Sequence, residues 1–168
     1  TEHAGSAPGT METATFEAET GVRVPAVTAA EMESVDRVAV EEFGLQLLQM
    51  MENAGRNLAG AVRDLGSGPV AVAAGNGGNG GGGMACARHL ANRGVDVRVI
   101  LDRDPGGLDG AAATQYRVLE AMQVPVTTGD PEFEADVVVD ALVGYGLAGA
   151  LRGAARTLVE AIDRADAT

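Results

Sequence analysis

Two parts of this chain combine residue types and spacing that could bind and transform a ligand. Residues 75–83 hold seven glycines and two asparagines, directly after a short apolar run. Glycine-rich turns let backbone N–H groups come close to an anion, and a following helix adds the positive end of its dipole, so this segment predicts a phosphate cradle. Asp140 follows the apolar residues 137–139, where an acid is costly unless it is paired, metal-bound or functional. We therefore expect a site role for Asp140, with the capping of a turn as the alternative.

The glycine segment matches the dinucleotide-binding fingerprint but cannot be a Walker loop. All twelve basic residues are arginines, so the lysine of a Walker loop is absent and phosphoryl transfer by that route is excluded. Gly75, Gly77 and Gly80 match the dinucleotide fingerprint, and Asp102 lies where that fingerprint places its ribose-binding acid. A nicotinamide-dependent dehydrogenase is therefore one candidate function, and a flexible linker is the alternative structural interpretation.

Hydrophobic periodicity predicts the elements that position these residues. Apolar residues at helical spacing alternate with short apolar runs, which is typical of a parallel sheet with helices on both faces. The sequence therefore predicts a Rossmann-like three-layer α/β/α fold with a mostly parallel sheet, whose ligands bind beyond the carboxyl ends of the strands. Helices are expected at residues 29–43, 47–65, 84–93, 109–122 and 154–163, and strands at 70–74, 95–101, 124–126 and 136–142.

The domain organisation follows from composition. Residues 1–21 are rich in Ala, Thr, Glu and Gly without sustained periodicity, and we expect a disordered or loosely held arm there. Residues 22–168 fit one α/β domain, which is long enough to bury a core. The last predicted helix needs a further parallel strand after it, and residues 165–168 are too short and too weakly apolar to form one. We therefore expect the C-terminal part of the domain to be missing.

Three motifs, in this order along the chain, resemble those of one family. Residues 51–55, Met-Glu-Asn-Ala-Gly, are similar to the M-E-N/L-A-G helix of the NAD(P)H-hydrate epimerases, the YjeF N-terminal domain family. Residues 75–83 are similar to that family's G-x-G-N-N-G-G-D-G loop, and residues 139–146 to its V-D-A-L-F-G-x-G segment. Gly78 and Gly82 depart from the loop motif, since they replace its first Asn and its Asp. The family's D-x-P-S-G motif is not found in the chain.

The resemblance implies a function and a set of site residues. It implies an isomerase that interconverts the S and R epimers of hydrated NADH or NADPH in cofactor repair, with Asp140 as the catalytic acid/base group. It also implies a potassium ion as cofactor, bound by Asn79 and Asp140. The substrate-binding residues that it implies are Gly78, Asn79, Gly80, Gly81, Gly82, Gly144, Tyr145, Gly146, Leu147, Ala148, Gly149 and Arg152.

Each of these expectations has an alternative. Residues 144–149 could form an ordinary turn between a strand and a helix, and Arg152 could be a solvated residue at a helix start. A non-catalytic nucleotide-binding or scaffolding module of the same fold is the alternative function, because Gly82 lacks the family's acid and D-x-P-S-G is absent. For the same reason we expect weak or no epimerase activity from this chain by itself.

Net charge and composition bound the class of partner. The formal net charge of −12 disfavours nucleic acid and anionic membranes, because contacts with their phosphates would be repulsive. The single cysteine, Cys86, excludes a disulfide scaffold and is compatible with a reducing compartment. The sequence has no signal peptide and no long apolar stretch, so the expected location is the cytoplasm. The expected partner is a small-molecule substrate, and we also allow for a homodimer.

Overall fold

The computed structural model describes residues 15–17, 20–129, 132–165 and 167–168. The chain divides into two compact units, Thr1–Phe43 and Gly44–Thr168. All of the predicted site residues belong to the second unit. Most of the predicted N-terminal arm lies outside the described residues, so its loose attachment stays a prediction.

The first unit contains two short strands and one helix among its described residues. β1 (Thr15–Glu17) pairs antiparallel with β2 (Arg23–Pro25). α1 (Ala29–Glu41) begins with a reciprocal capping box. The Thr28 hydroxyl accepts a hydrogen bond from the Glu31 N–H at 3.3 Å, and the Glu31 carboxylate accepts one from the Thr28 N–H at 2.7 Å. This pair of bonds fixes the residue at which the helix starts.

The second unit is built on a sheet of four parallel strands. The strands are β3 (Val70–Ala74), β4 (Val97–Leu101), β5 (Val126–Thr128) and β6 (Val137–Ala141). Their spatial order is β5-β4-β3-β6. Every residue of β3 is apolar and buried, as a central strand covered on both faces must be. Val72 of β3 lies opposite Val99 of β4 on one side and Val139 of β6 on the other.

Helices cover both faces of this sheet. They are α2 (Leu47–Leu65), α3 (Gly78–Ala91), α4 (Gly110–Ala121) and α5 (Gly153–Ile162). α2, α3 and α4 form a core with one face of the strands. Each of these helices contributes buried residues to it, among them Ala59, Leu90 and Leu119, respectively. On the other face, Leu158 of α5 packs with Ala71 of β3. The predicted three-layer α/β/α fold is therefore confirmed. None of the described helices has the length and apolarity that crossing a membrane requires.

Two strands start later than the sequence predicts, for the same physical reason. The Val95 N–H donates a hydrogen bond to the Leu90 carbonyl at 3.2 Å, so residue 95 still closes the end of α3, and β4 starts at Val97. In the same way the Val124 N–H bonds to the Leu119 carbonyl at 3.0 Å and closes α4. The apolar pattern thus places residues 95 and 124 in the following strands. Their N–H groups instead bond to carbonyls in the last turn of the preceding helix.

The strand order creates a crevice at the carboxyl end of the sheet. From β3 the chain passes through α3, β4 and α4 to β5 on one side, and β6 then lies on the other side of β3. The connections that follow β3 and β6 therefore leave two neighbouring strands at a point where the strand order reverses. Doubly wound folds bind their ligands at such a point. The predicted site residues lie on these two connections and at the end of β6.

The outer edge of β6 carries the last residues of the chain. The Thr168 N–H donates a hydrogen bond to the Asp136 carbonyl at 3.0 Å, and the Val138 N–H donates one to the Thr168 carbonyl at 2.9 Å. These two bonds follow the pattern of a parallel strand pair. Thr168 therefore lies beside β6, on the side opposite to β3.

Candidate functional site

The glycine-rich segment is mostly helical. α3 begins at Gly78, so only residues 75–77 form the turn between β3 and the helix. The prediction of a loop up to residue 83, followed by a helix from Met84, is therefore wrong. None of the glycines in this segment has a positive φ, so backbone freedom is not what requires glycine here.

Close packing explains several of these glycines instead. A Cβ on Gly80 would overlap the backbone of Gly75. A Cβ on Gly81 would come within 2.7 Å of the sulfur of Met51, which is buried on α2. By contrast, a Cβ on Gly82 would meet no atom within 4 Å. The start of α3 is thus packed against its own turn and against α2, while Gly82, where the resemblance expects an Asp, has room for a side chain.

The start of α3 offers backbone donors at the carboxyl end of the sheet. The first N–H groups of any helix have no partner within the helix. The N-cap residue here is Gly77, which has no side chain that could accept from them. The Gly81 N–H bonds back to the Gly77 carbonyl at 3.0 Å, which leaves the amides of residues 78–80 without a helical acceptor. Because they lie at the positive end of the helix dipole, these amides suit an anionic group such as a phosphate.

Asn79 connects the start of α3 to the segment after β6. Its side-chain amide nitrogen donates a hydrogen bond to the backbone carbonyl of Val143 at 2.8 Å. Gly144 lies against the same side chain, since a Cβ at residue 144 would be 3.4 Å from the Asn79 Cβ. The Asn79 amide oxygen makes no hydrogen bond to any residue that the structure describes. The structure therefore brings together the two segments that the sequence predicts to bind substrate.

Asp140 lies in β6 at the carboxyl end of the sheet, opposite Ala73 of β3. Its side chain is exposed, and one carboxylate oxygen accepts a hydrogen bond from the Leu142 N–H at 3.0 Å. The other oxygen bonds to no residue within the described ranges. Turn capping and a site role are therefore compatible, because one oxygen holds the turn while the second stays available to a ligand.

The connection between β6 and α5 is exposed along most of its length. Residues 144–150 are all exposed, and they include Tyr145 and Leu147. The Leu147 N–H donates a hydrogen bond to the Gly144 carbonyl at 3.2 Å, which forms a turn around Tyr145. Arg152 is the N-cap residue of α5, and its side chain pairs with none of the described residues. We call residues 143–152 the β6–α5 loop.

Asn76 is a site-forming residue that the sequence analysis did not identify. Its amide oxygen accepts a hydrogen bond from the Asp109 N–H at 2.8 Å, which ties the glycine turn to the start of α4. Asp109 is the N-cap residue of α4, but its own side chain makes no capping bond. The signal in the sequence was an asparagine inside a glycine turn, a residue type that readily bonds to nearby backbone. Asn76 and Asn79 thus hold the glycine segment from two sides.

Asp102 lies just beyond β4, but its carboxylate is already occupied. The Arg103 guanidinium donates two hydrogen bonds to it, at 2.8 and 3.0 Å, and only 8% of the Asp102 side chain is exposed. These bonds raise the pKa of Arg103. A ribose hydroxyl would have to displace the guanidinium, so the free acid required by the dinucleotide fingerprint is not available. This weakens the dehydrogenase interpretation.

A polar cluster holds α3 on α2. The Glu52 carboxylate accepts a hydrogen bond from Arg88, and its second oxygen lies 2.7 Å from the His89 Nε2. The hydrogen bond from Arg88, more than that from His89, keeps the pKa of Glu52 below its usual value. Glu52 belongs to the 51–55 motif, so this motif fixes the helix whose start forms the site.

A separate cavity lies at the opposite, amino-terminal end of the strands. It has a volume of about 390 Å³ and contains none of the predicted site residues. Its lining consists of Arg63, Gly66, Ser67, Gly68, Pro69, Gly94, Val95 and Asp96. We therefore place the candidate site at the carboxyl end, between the start of α3 and the β6–α5 loop.

Comparison with known proteins identifies the family of this chain. The family model for the YjeF-related protein N-terminus matches residues 47–168. The chain belongs to this family. The matched range includes all three motifs of the sequence analysis, and therefore both segments that line the crevice.

Similar proteins within the family have known names. An NAD(P)H-hydrate epimerase from Dehalogenimonas lykanthroporepellens is 45% identical over 83% of this chain and 59% of its own length. A bifunctional NAD(P)H-hydrate repair enzyme Nnr from Moorella thermoacetica is 34% identical over 83% of this chain and 29% of its own length. The crystal structure of the yeast protein ynu0 (YNL200c) has a TM-score of 0.73 and 27% identity, covering 84% of this chain and 65% of that one. The chain thus spans less than two thirds of these relatives.

Proposed function

We propose that this chain acts as an NAD(P)H-hydrate epimerase, an isomerase that interconverts the S and R epimers of hydrated NADH or NADPH. One observation carries the proposal. The Asn79 hydrogen bond to Val143 joins the start of α3 to the β6–α5 loop, two residues after β6 ends, so that phosphate-binding amides and the Asp140 carboxylate lie at one crevice. Similar proteins of this family from three bacteria bear the name NAD(P)H-hydrate epimerase, which supports the assignment.

Asp140 is the proposed acid/base group. In its protonated form it donates a proton to the C6 hydroxyl of the hydrate while the ring nitrogen forms a C=N bond, so that water leaves and a planar cation remains. Water then adds to either face of the cation and returns a proton to Asp140. The steps involve no net oxidation or reduction. The exposure of the Asp140 side chain suits this role, since its proton can exchange with solvent.

The chain's other residues hold the substrate in this proposal. The free amides at the start of α3 bind a phosphate of the dinucleotide, with Gly80 and Gly81 allowing the helix to begin so close to the turn. The β6–α5 loop covers the opposite side of the crevice. In that loop the exposed Tyr145 and Leu147 offer apolar surface, and Arg152, which pairs with none of the described residues, offers a charge for a phosphate.

The side-chain oxygens of Asn79 and Asp140 are of a chemical type that can bind potassium. Asn79 has an amide oxygen and Asp140 a second carboxylate oxygen that bond to none of the described residues, and hard cations prefer oxygen ligands of these types. We propose that Asn79 and Asp140 hold the ion, which would supply positive charge near the substrate's phosphates.

We further propose that the protein works as a homodimer in the cytoplasm. α2 exposes Leu47, Leu58 and Leu65 along one side, at helical spacing, and a second copy would bury such a surface. Nucleic acid and anionic membranes are not proposed as partners, because of the net charge of −12. Sedimentation of the wild type and of Leu58→Glu tests the dimer. A change from dimer to monomer would support it.

An epimerisation assay tests the function directly. Purified S or R hydrate is incubated with the protein, and the approach to the epimer mixture is followed by NMR or chromatography, with and without potassium. Acceleration over the spontaneous rate supports the proposal. Hydride transfer with the intact cofactor would instead indicate a dehydrogenase, and binding of the hydrate without turnover would indicate a nucleotide-binding module.

A further inference from the structure

The two asparagines of the glycine turn bond in different directions. Asn76 accepts from Asp109 at the start of α4, whereas Asn79 donates to Val143 in the β6–α5 loop. We infer that Asn79 is a positioning residue that holds the β6–α5 loop against the start of α3. This inference deepens the proposed function, since the loop covers the proposed site. It can nevertheless be tested without any substrate.

Asn79 is itself held in a rigid setting. It lies in the first turn of α3, between the N-cap residue Gly77 and the closely packed Gly80. Because the backbone at Gly80 touches Gly75, and Gly81 touches Met51, the start of the helix cannot shift without breaking these contacts. A side chain that is anchored in this way can fix whatever it bonds to.

The loop, by contrast, is exposed along most of its length and contains three glycines. Gly144, Gly146 and Gly149 loosen its backbone, and Gly149 adopts a φ of +84°. The hydrogen bond from the Leu147 N–H to the Gly144 carbonyl stays within the loop, so it shapes the loop without attaching it to the sheet. Buried Leu142 and the start of α5 hold the two ends. The bond from Asn79 to Val143 adds an attachment from outside, next to the glycines.

The chemistry of this attachment requires a donor. The Val143 group is a backbone carbonyl, which accepts hydrogen bonds but cannot donate them. An asparagine side chain supplies the N–H and still leaves its oxygen free on the other side of the same planar amide. A ligand that bonds to this oxygen would therefore also orient the amide nitrogen, and through it the loop. Aspartate has nearly the same shape but no donor, so it separates the two roles.

Limited proteolysis tests the positioning role on the whole chain. Trypsin cleaves after arginine, and Arg152 is an exposed arginine within the loop. The rate of cleavage at Arg152, followed by mass spectrometry, reports how often the loop opens. Loss of one hydrogen bond should raise this rate by roughly threefold to tenfold in Asn79→Ala and Asn79→Asp. Asn79→Asp keeps the helix start stable, because an acid is favourable in the first turn.

Asn76→Ala is the matched control. It removes the other asparagine side chain of the same turn, whose bond goes to α4, so it should leave cleavage at Arg152 at the wild-type rate. A second measurement uses Tyr145, since the chain has two tyrosines and no tryptophan. In a Tyr116→Phe background, both Asn79 variants should change the fluorescence of Tyr145, and Asn76→Ala should not.

The results separate this inference from the proposed function. Unchanged cleavage at Arg152 in both Asn79 variants would overturn the positioning role, and so would equal acceleration by Asn76→Ala. If the wild type does not epimerise the hydrate but the Asn79 variants open the loop, the positioning role stands and the proposed function fails. If the wild type is active, Asn79→Asp should raise KM for the hydrate by at least as large a factor as it lowers kcat, because the loop is lost mainly as a binding surface.

Discussion

Gly80 lies directly on the turn that precedes its helix, so that a Cβ at residue 80 would overlap the carbonyl oxygen of Gly75. The turn and the helix start therefore pack backbone against backbone. Neither group can move aside as a flexible side chain would. The glycine at residue 80 is thus required by the fold itself, in addition to any need of a ligand for close approach.

Gly80→Val is expected to destabilise the protein strongly. Overpacking a rigid site typically costs about 1–3 kcal/mol, and a clash with backbone should place this variant at or above the upper end of that range. Urea denaturation followed by circular dichroism measures the free energy of unfolding.

Gly82→Ala is the control for that experiment. It lies two residues later in the same helix, where a Cβ would meet nothing within 4 Å. Alanine in a helix is more favourable than glycine by roughly 0.8–1.0 kcal/mol, so this variant should be as stable as the wild type or slightly more stable. If both variants lose the same stability, close packing at Gly80 is not the cause.

The glycine segment also shows where sequence reasoning reaches its limit. Apolar periodicity predicted the parallel sheet and its helices correctly, because burial on both faces leaves a strong pattern in the sequence. It placed the start of α3 six residues too late, because six residues of glycine and asparagine have low helix propensity and tertiary packing overrides it. The hydrogen bond from the Asp109 N–H to the Asn76 side chain joins residues 33 apart in sequence, and no local pattern predicts such a pair.

Asp140→Asn is expected to slow epimerisation of the hydrate by about a hundredfold or more, the usual scale for a positioned general acid. An amide oxygen can still accept the hydrogen bond from the Leu142 N–H, so the turn and the thermal midpoint should change little. The rate of equilibration between the two epimers is the measurement.

Asp104→Asn is the matched control for Asp140→Asn. The Asp104 carboxylate accepts a hydrogen bond from the Gly106 N–H at 2.8 Å, which is the same local arrangement as that of Asp140 with the residue two positions later. Asp104 follows β4 instead of β6, and these two strands lie on opposite sides of β3. Its substitution should leave epimerisation within about twofold of the wild type, since it removes one charge and no acid/base group. Equal losses in the two variants would argue against a chemical role for Asp140.

Glu52→Gln is expected to loosen α3 from α2. The variant weakens the acceptor for Arg88, whose side chain is only 17% exposed, so a mostly buried guanidinium loses its charged partner. Because 45% of the Glu52 side chain is exposed, solvent screening limits the decrease in unfolding free energy to about 1 kcal/mol. Glu160→Gln weakens the pair with Arg156, in which both side chains are about half exposed or more, so it should not change stability measurably.

The pH dependence of this pair has a defined sign. Arg88 lowers the pKa of Glu52 in the folded protein, so the stabilisation is fully present above the unfolded value of about 4.5 and is lost as pH falls through the lower folded value. The difference in unfolding free energy between wild type and Glu52→Gln should therefore be present at pH 7 and shrink below about pH 4. A difference that stays constant down to pH 3 would show that the carboxylate charge contributes nothing.

Cys86 should be inert to thiol reagents while the protein is folded. The residue is fully buried on α3, and burial raises the pKa of its thiol to about 12.

An unfolded thiol ionises near pH 8.5, so between about pH 8.5 and 12 the unfolded state loses a proton that the folded state retains. Stability is then present below this range and falls as pH rises through it. Between pH 7 and pH 10, the free energy of unfolding should fall by about 1–2 kcal/mol more in the wild type than in Cys86→Ala. Urea denaturation of both proteins at the two pH values measures this, and rapid labelling of native Cys86 at pH 8 would contradict it.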